Sequence, residues 1–458
     1  MTRIEELLIA FGNNAWGMPL LILLVGGGLF FSLYIRFLPY RYLGHAIDIL
    51  RGKYDKEGDA GDISHYEALS TAIAATVGMG NISGVAIAIT MGGPGALFWM
   101  WMSALVGVST KFFTCTLAVM YRGKDSKGDL QGGPMYYITE GLGKKWKPLA
   151  IVFCIAGMFG PLPVFNANQL TAAFNDSLFI PMGISQGFTT NLIFGLGLAA
   201  LVAFVIFGGI KRIGKVASRL VPFMVVIYTV AVLYIILSNF SQIDDCFALI
   251  FSDAFSGEAV SGGVIGAIII AGVRRAAFSN EAGLGTAPMA HGAAKTDEPI
   301  REGLIAMLGP IIDTIIVCTM TALAIIITNS WQDASVSGIN ITLNAFDIGL
   351  PVIGKYVLML CILIFSLTSM FSLSYYGSKC FSFLFGAEYK NIFNVFYITS
   401  IIAGSIASLS AIIGFIDGMY AIMAVPTIIS TILLAPKVKA AAKDYFKRKE
   451  AGAFDSYL

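Results

Sequence analysis

Charge is scarce in this chain. Only 13% of its 458 residues are Asp, Glu, Lys or Arg, where a soluble domain carries about 25%. With 57% hydrophobic residues and a mean hydropathy of +0.78, an ordinary soluble domain is excluded and an integral membrane protein is expected. The net charge of +2 says little by itself; where the charges sit says more. Histidine is rarer still. His45, His65 and His291 are too scattered for a metal site. Of the six cysteines, all but Cys246 fall in or beside apolar runs, so no disulfide framework is readable. No catalytic His, Cys or acid cluster gathers at one end of the apolar runs, which argues against an enzyme. No cofactor or nucleic-acid partner is expected. The first apolar run, Met18 to Leu38, is long enough to span a bilayer and lacks the small-residue cleavage pattern of a leader.

What the chain has in abundance is apolar runs of spanning length, each near the ~20 residues a bilayer requires. They lie at 18–38, 66–90, 95–121, 148–174, 189–210, 216–238, 260–290, 303–328, 351–376, 392–413 and 417–435, eleven in all. Cations set the orientation, because Lys and Arg gather in cytoplasmic loops. With the N-terminus outside, only Arg3 and Lys355 of the 30 Lys and Arg fall in outer segments, and Lys111, Arg274 and Arg275 lie within runs. All the others face the cytoplasm, Lys56, Lys379 and the basic tail after Pro436 among them. This distribution predicts N-out and C-in, which an odd number of spans also requires.

Two runs are interrupted by glycine and polar residues. The first holds Ala75-Thr76-Val77-Gly78-Met79-Gly80-Asn81-Ile82-Ser83-Gly84; the second holds Phe278-Ser279-Asn280-Glu281-Ala282-Gly283-Leu284-Gly285-Thr286-Ala287-Pro288. Backbone groups cannot stay unpaired in lipid, so non-helical backbone at that depth is buried in protein or lines a cavity. Paired broken helices in the two halves of a polytopic protein point to the substrate and ion site of a secondary transporter. The two runs stand five spans apart and point in opposite directions, which predicts an inverted repeat. The expected division is 1–64 for an outer N-terminal segment, an additional span and a cytoplasmic loop, 65–240 and 241–436 for two five-helix repeats, and 437–458 for a basic cytoplasmic tail.

Gly78, Gly80 and Gly84 permit backbone geometry that other residues resist. Unwinding there exposes amides at the positive start of the next half-helix, which suit a carboxylate. Carbonyls at the end of the preceding half-helix suit a cation. The alternative is that these glycines only let helices pack closely. Around the second break, Arg274, Arg275 and Glu281 are ionisable residues at depth, either an outer gate or a structural Arg–Glu pair. Ser366, Thr368, Ser369, Ser372 and Ser374 crowd one run. Their oxygens suit a hard cation such as sodium, or serve as helix–helix glue. Asn166, Asn168 and Gln169 stand near the end of an apolar run, facing either a substrate or neighbouring backbone. Asp313 is an intramembrane acid that either relays a proton or caps backbone near Pro310.

At these residues the chain resembles the alanine/glycine:cation symporters, also called sodium:alanine symporters. Gly92-Gly93-Pro94-Gly95-Ala96-Leu97-Phe98-Trp99-Met100-Trp101-Met102-Ser103-Ala104-Leu105-Val106-Gly107 reads as the family signature, and both broken segments are similar to the family's. Asp313-Thr314 with Cys318-Thr319, and Ser374-Tyr375-Tyr376-Gly377, also match. The resemblance runs from about residue 12 to 440. It implies an all-α, leucine-transporter-like fold: a five-plus-five inverted repeat with one helix added before it, eleven transmembrane helices in the cell (inner) membrane. It implies sodium-coupled uptake of small neutral amino acids by alternating access. By analogy with that fold, the Ala74 and Val77 carbonyls with the Thr368 and Ser369 hydroxyls would hold sodium, the coupling ion. Amides around Gly78, Met79, Gly80 and Asn81 would meet the substrate carboxylate. Ala277, Phe278 and Ser279 would face its amine. Members commonly carry tryptophan where this chain has Leu373 and glutamine where it has Asn166. Both changes shrink a side chain near the expected pocket, which extends the expected substrates from alanine and glycine to a somewhat larger neutral amino acid.

Other readings remain beside this one: proton coupling through Glu281 or Asp313, or a channel or substrate-sensing receptor on the same scaffold. A channel would more readily show pore rings from several subunits. The segment after Pro436 is short for a receptor's output domain.

Overall fold

The computed structural model describes residues 3–55, 58–255, 264–333 and 335–454. Lys56, residues 260–263 of the expected span 260–290, and the outermost residues of the N-terminal segment and basic tail lie outside them. The described chain is almost wholly helical, with one short hairpin pairing Gly123–Lys124 with Leu130–Gln131. Among the described residues eight helices are long and apolar enough to cross a membrane, or nine when Arg3–Ala15 and Met18–Tyr34, bent by 46°, count as one span. Two further expected runs form helices of 17 residues each, Val264–Asn280 and Lys390–Ile406. Apolar side chains such as Phe204 (77% exposed) and Val230 (63%) point outward from the rim helices, as in a protein whose outer solvent is lipid.

The first broken run begins with a capping box. The Ser64 hydroxyl accepts the Glu67 amide at 3.2 Å and the Ser64 amide donates to the Glu67 carboxylate at 2.9 Å, satisfying two donors that a helix start leaves free. Helix α1, His65–Thr76, stops where Val77 turns to ψ 90°, and α2, Met79–Gly92, resumes after Gly78. Helix α3, Ala96–Met120, returns beside it. The second broken run is α4, Val264–Asn280, then a non-helical stretch, then α5, Ala287–His291. Gly283 (φ +86°) and Gly285 (φ +90°) take left-handed conformations in that stretch, which glycine adopts without steric cost. Glu281 takes one too, at φ +55°, at a cost of order 1–3 kcal/mol. Helix α6, Gly354–Phe385, and α7, Leu409–Glu450, complete the set that frames the site. Helix α1 packs on Gly209–Ser238 and on α6, and α4 packs on both α2 and α3. The broken helices thus sit at the centre.

The run expected at 148–174 lies within one spanning segment, Lys144–Phe179, built of two helices, Lys147–Phe159 and Val164–Phe174. Pro161 and Pro163 sit between them, and each lacks the amide a continuous helix needs. Within the basic segment from 437, α7 continues as helix to Glu450. Close glycine contacts shape the periphery. A Cβ on Gly12 would stand 2.6 Å from the Gly414 carbonyl oxygen, so Arg3–Ala15 lies against α7 as small-residue helix pairs do.

Candidate functional site

The two breaks meet. A Cβ added to Gly80, on the first turn of α2, would stand 3.3 Å from the Ser279 Cα and 3.4 Å from the Phe278 ring. Gly80 therefore brings the start of one half-helix against the end of the other. The Phe278 ring makes edge contacts with Phe165 at 5.1 Å and with Tyr420 at 5.8 Å. Ala277 and Met79 are buried beside it.

Asp313, fully buried, ties the two breaks together. The Asn81 amide donates to its carboxylate at 2.8 Å and to its backbone carbonyl at 2.9 Å. The Ser279 hydroxyl donates to the carboxylate at 2.5 Å and the Thr314 hydroxyl at 2.9 Å. Asn81 also accepts the Gly78 amide at 3.0 Å. Asn280 donates to Thr314 at 3.0 Å. The network joins side chains from both breaks on one buried carboxylate and satisfies its oxygens. It also occupies the side chains of Asn81 and Ser279, and the Asn81 backbone amide bonds the Gly78 carbonyl at 3.1 Å.

On the other side of the first break, α6 presents its hydroxyls. The Ser369 hydroxyl donates to the Ala74 carbonyl at 2.8 Å, and a Cβ on Gly78 would collide with the same oxygen. A side chain at Gly78 would displace this hydroxyl from its present position. Thr368 donates to the Ile364 and Phe365 carbonyls of its own helix at 2.9 and 3.1 Å. Ala74, Val77, Thr368 and Ser369 are all buried. The structure joins Ala74 and Ser369 directly, and turns the Thr368 hydroxyl toward its own helix.

Of the two readings open for Arg274, Arg275 and Glu281, the Arg–Glu pair does not form. Both arginines bind Asp417 of α7: the Arg274 Nε lies 2.6 Å from its carboxylate, and Arg275 donates to the same oxygen. Arg274 also donates to Asn13 at 3.1 Å, and Trp16 to the Asp417 carbonyl at 2.8 Å. Glu281 accepts instead from Thr286 at 2.5 Å. The reason is local: Glu281 follows the last turn of α4 in a left-handed conformation, more than a turn beyond the arginines. Asp417, an acid inside an apolar run as telling as Glu281, is the residue that sequence reading passed over.

Of the three amides, Asn168 and Gln169 stay paired: the Gln169 amide donates to the Asn168 side-chain oxygen at 3.0 Å. Asn168 donates to the Ala407 carbonyl at 2.8 Å. Gln169 accepts from Ser83 at 2.5 Å and from the Ile339 amide at 3.0 Å. Asn166 is buried beside Phe165. Leu373 is buried on α6, against which the helix Val164–Phe174 packs. No group of three or more His, Cys, Asp or Glu that could hold a metal occurs among the described residues.

A family model described as the sodium:alanine symporter family matches residues 1–457. The chain belongs to the sodium:alanine symporter family. This symporter-family chain is 39% identical over 435 residues to the sodium/alanine symporter AgcS of Methanococcus maripaludis, covering 94% of both chains. It is 35% identical over 460 residues to the probable sodium/glutamine symporter GlnT of Bacillus subtilis, covering 99% of this chain and 93% of that one. An uncharacterised transporter of Haemophilus influenzae is 41% identical over 461 residues, covering 99% and 98%. Among solved structures, MhsT in complex with L-phenylalanine superposes with a TM-score of 0.59 at 15% identity, covering 84% of this chain and 98% of that one. The fold is therefore the leucine-transporter-like one, and the chain is a multi-pass membrane protein of an amino-acid transporter family.

Proposed function

We propose that this protein is a sodium-coupled symporter of small neutral amino acids: alanine, glycine or a somewhat larger one. The observation that carries the reading is the meeting of the two breaks at Gly80, Phe278 and Ser279, beside the Ala74–Ser369 contact. A zwitterion needs donors for its acid, acceptors for its amine and, when coupled, a cation nearby. Of the four residues expected at the carboxylate, Gly78 and Asn81 already use their amides within the break, so the amides of Met79 and Gly80, at the start of a half-helix, suit the carboxylate. Backbone at Ala277, Phe278 and Ser279 closes the other half-helix and suits the amine. The Ala74 and Val77 carbonyls with the Thr368 and Ser369 hydroxyls offer hard oxygens for sodium. Asn166 and Leu373 would bound the side-chain end. Arg274 and Arg275, locked on Asp417, tie α4 to α7 and the N-terminal helix at one end, as a closed outer gate would.

The finer architecture belongs to the same proposal. Eleven spans arise from the eight long helices, the bent pair and the two helices of 17 residues. They divide as one additional span within 1–64, then repeats at 65–240 and 241–436, with N-out and C-in in the cell (inner) membrane. Alternating access then moves one set of helices about the site. The test is uptake of radiolabelled alanine, glycine and glutamine into proteoliposomes, with sodium or with choline outside. Uptake of at least one only with sodium is expected. Uptake that survives choline and follows a proton gradient instead would give the coupling to Glu281 or Asp313.

A further inference from the structure

The site above leaves a buried cation unused. A cavity of about 460 Å³ lies where Gly61-Asp62, the hairpin around 123–131 and Gly292-Ala293 meet the second half of α6, which lines it with Tyr375, Ser378, Lys379 and Ser382. Lys379 is only 5% exposed. Its ammonium donates to the Met289 carbonyl at 3.0 Å and to the Tyr375 hydroxyl at 2.9 Å. Among the described residues no carboxylate lies within ion-pair distance of it, and its third proton has no acceptor. Burying an unpaired charge is costly, and this one is held on the wall of a cavity sized for a small molecule. Tyr375 accepts from Lys379, which leaves the phenolic proton free to donate.

A second observation links this cavity to the central site. Thr368, Ser372, Tyr375, Lys379 and Ser382 recur on α6 at spacings of four and three, so they share one helix face. The Ser372 hydroxyl on that face is buried with no hydrogen-bond partner. One polar stripe thus runs from the candidate sodium site into the cavity. The cavity is also lined by Asp62, Asp125 and Asp129 and by Lys127, Lys211 and Lys390, so charges of both signs are present to meet a ligand with one carboxylate and one amine.

We propose that the Lys379 ammonium and the Tyr375 hydroxyl form a second carboxylate site, where the amino acid rests between the central site and the cavity's mouth. The site rests on the amino-acid transport reading above, and places its substrate's release route along α6.

Propionate, a carboxylate without an amine, probes the site directly by calorimetry on the purified protein in detergent. Lys379→Gln should weaken its binding at least tenfold, and Lys379→Arg should restore it to within about threefold. Asp62→Asn, at an exposed position, should tighten it. Unchanged propionate binding in Lys379→Gln, or inorganic phosphate binding more tightly than propionate, would overturn the proposal. Should Lys379→Gln fail to fold, Tyr375→Phe and Asp62→Asn decide it: weaker and tighter binding support the site, and no change in either refutes it. In inside-out proteoliposomes, Lys379→Gln should also raise the half-saturating alanine concentration on the cavity side, with that on the opposite side unchanged. Absence of any amino-acid uptake by the wild type would defeat the transport reading alone, since propionate binding is measured without transport.

Discussion

Ser369 and Thr368 differ in a way that only geometry reveals. Both are hydroxyls on α6, yet Ser369 reaches the Ala74 carbonyl across the break while Thr368 bonds within its own helix. Ser369→Ala should therefore raise the sodium concentration for half-maximal uptake about tenfold, about 1.4 kcal/mol. Thr368→Val, which keeps the side chain's shape, should do so to a similar or smaller extent. Sodium-concentration series on each variant check this, and an unchanged response in both removes these oxygens from the ion site. Leu373 makes the corresponding test for the substrate. A pocket methylene is worth about 1–3 kcal/mol in discrimination. Leu373→Trp should exclude larger neutral amino acids and spare glycine or alanine. Competition by a size series against labelled substrate measures it, and equal loss for all sizes takes Leu373 out of the pocket. The residue types at both positions were readable in sequence. The direction of each hydroxyl was not, because it depends on which carbonyl faces it from another helix.

At the scale of helices, the break itself carries the argument. Gly80→Val would push a branched side chain into Ser279 and Phe278 and should abolish substrate binding. Gly197→Ala, on Phe188–Ile206 with open space around its Cβ, should leave binding unchanged. Equal loss in the two variants would reduce Gly80 to general packing. The Asp417 junction makes a separate prediction about stability. Asp417→Asn leaves Arg274 and Arg275 buried without a counter-charge, which should cost about 3–5 kcal/mol. Thermal unfolding in detergent should show a large fall in midpoint. A midpoint unchanged from wild type would mean that solvent, and not Asp417, compensates the arginines. Sequence reading placed both arginines at depth and left open a gate or a pair with Glu281, the nearest acid along the chain. Contact between α4 and α7 is a matter of tertiary packing, and residues 142 and 143 positions apart carry no local signal of it.

Over the whole molecule, periodicity and punctuation were the legible part. Long apolar runs marked the helices, and glycine with polar residues marked both breaks, because lipid tolerates neither charge nor unpaired backbone. The break at Pro161 and Pro163 was equally open to reading from its prolines, yet the run's apolar composition masked it. The helical course of residues 437–450 was not legible, since a basic segment after a proline reads alike as tail or helix. Asp313 was visible as an intramembrane acid, but its role as the tie between the two breaks needed the fold. The central claim is that both breaks form one site in which sodium and an amino acid hold each other. Thermodynamic linkage makes that claim measurable, because each ligand must change the other's affinity by the same factor. The measurement is equilibrium binding of the amino acid selected by the uptake panel, with and without sodium, and of sodium with and without that amino acid. The account predicts equal enhancement in both directions, lost in Gly80→Val. Amino-acid binding that is indifferent to sodium would contradict it.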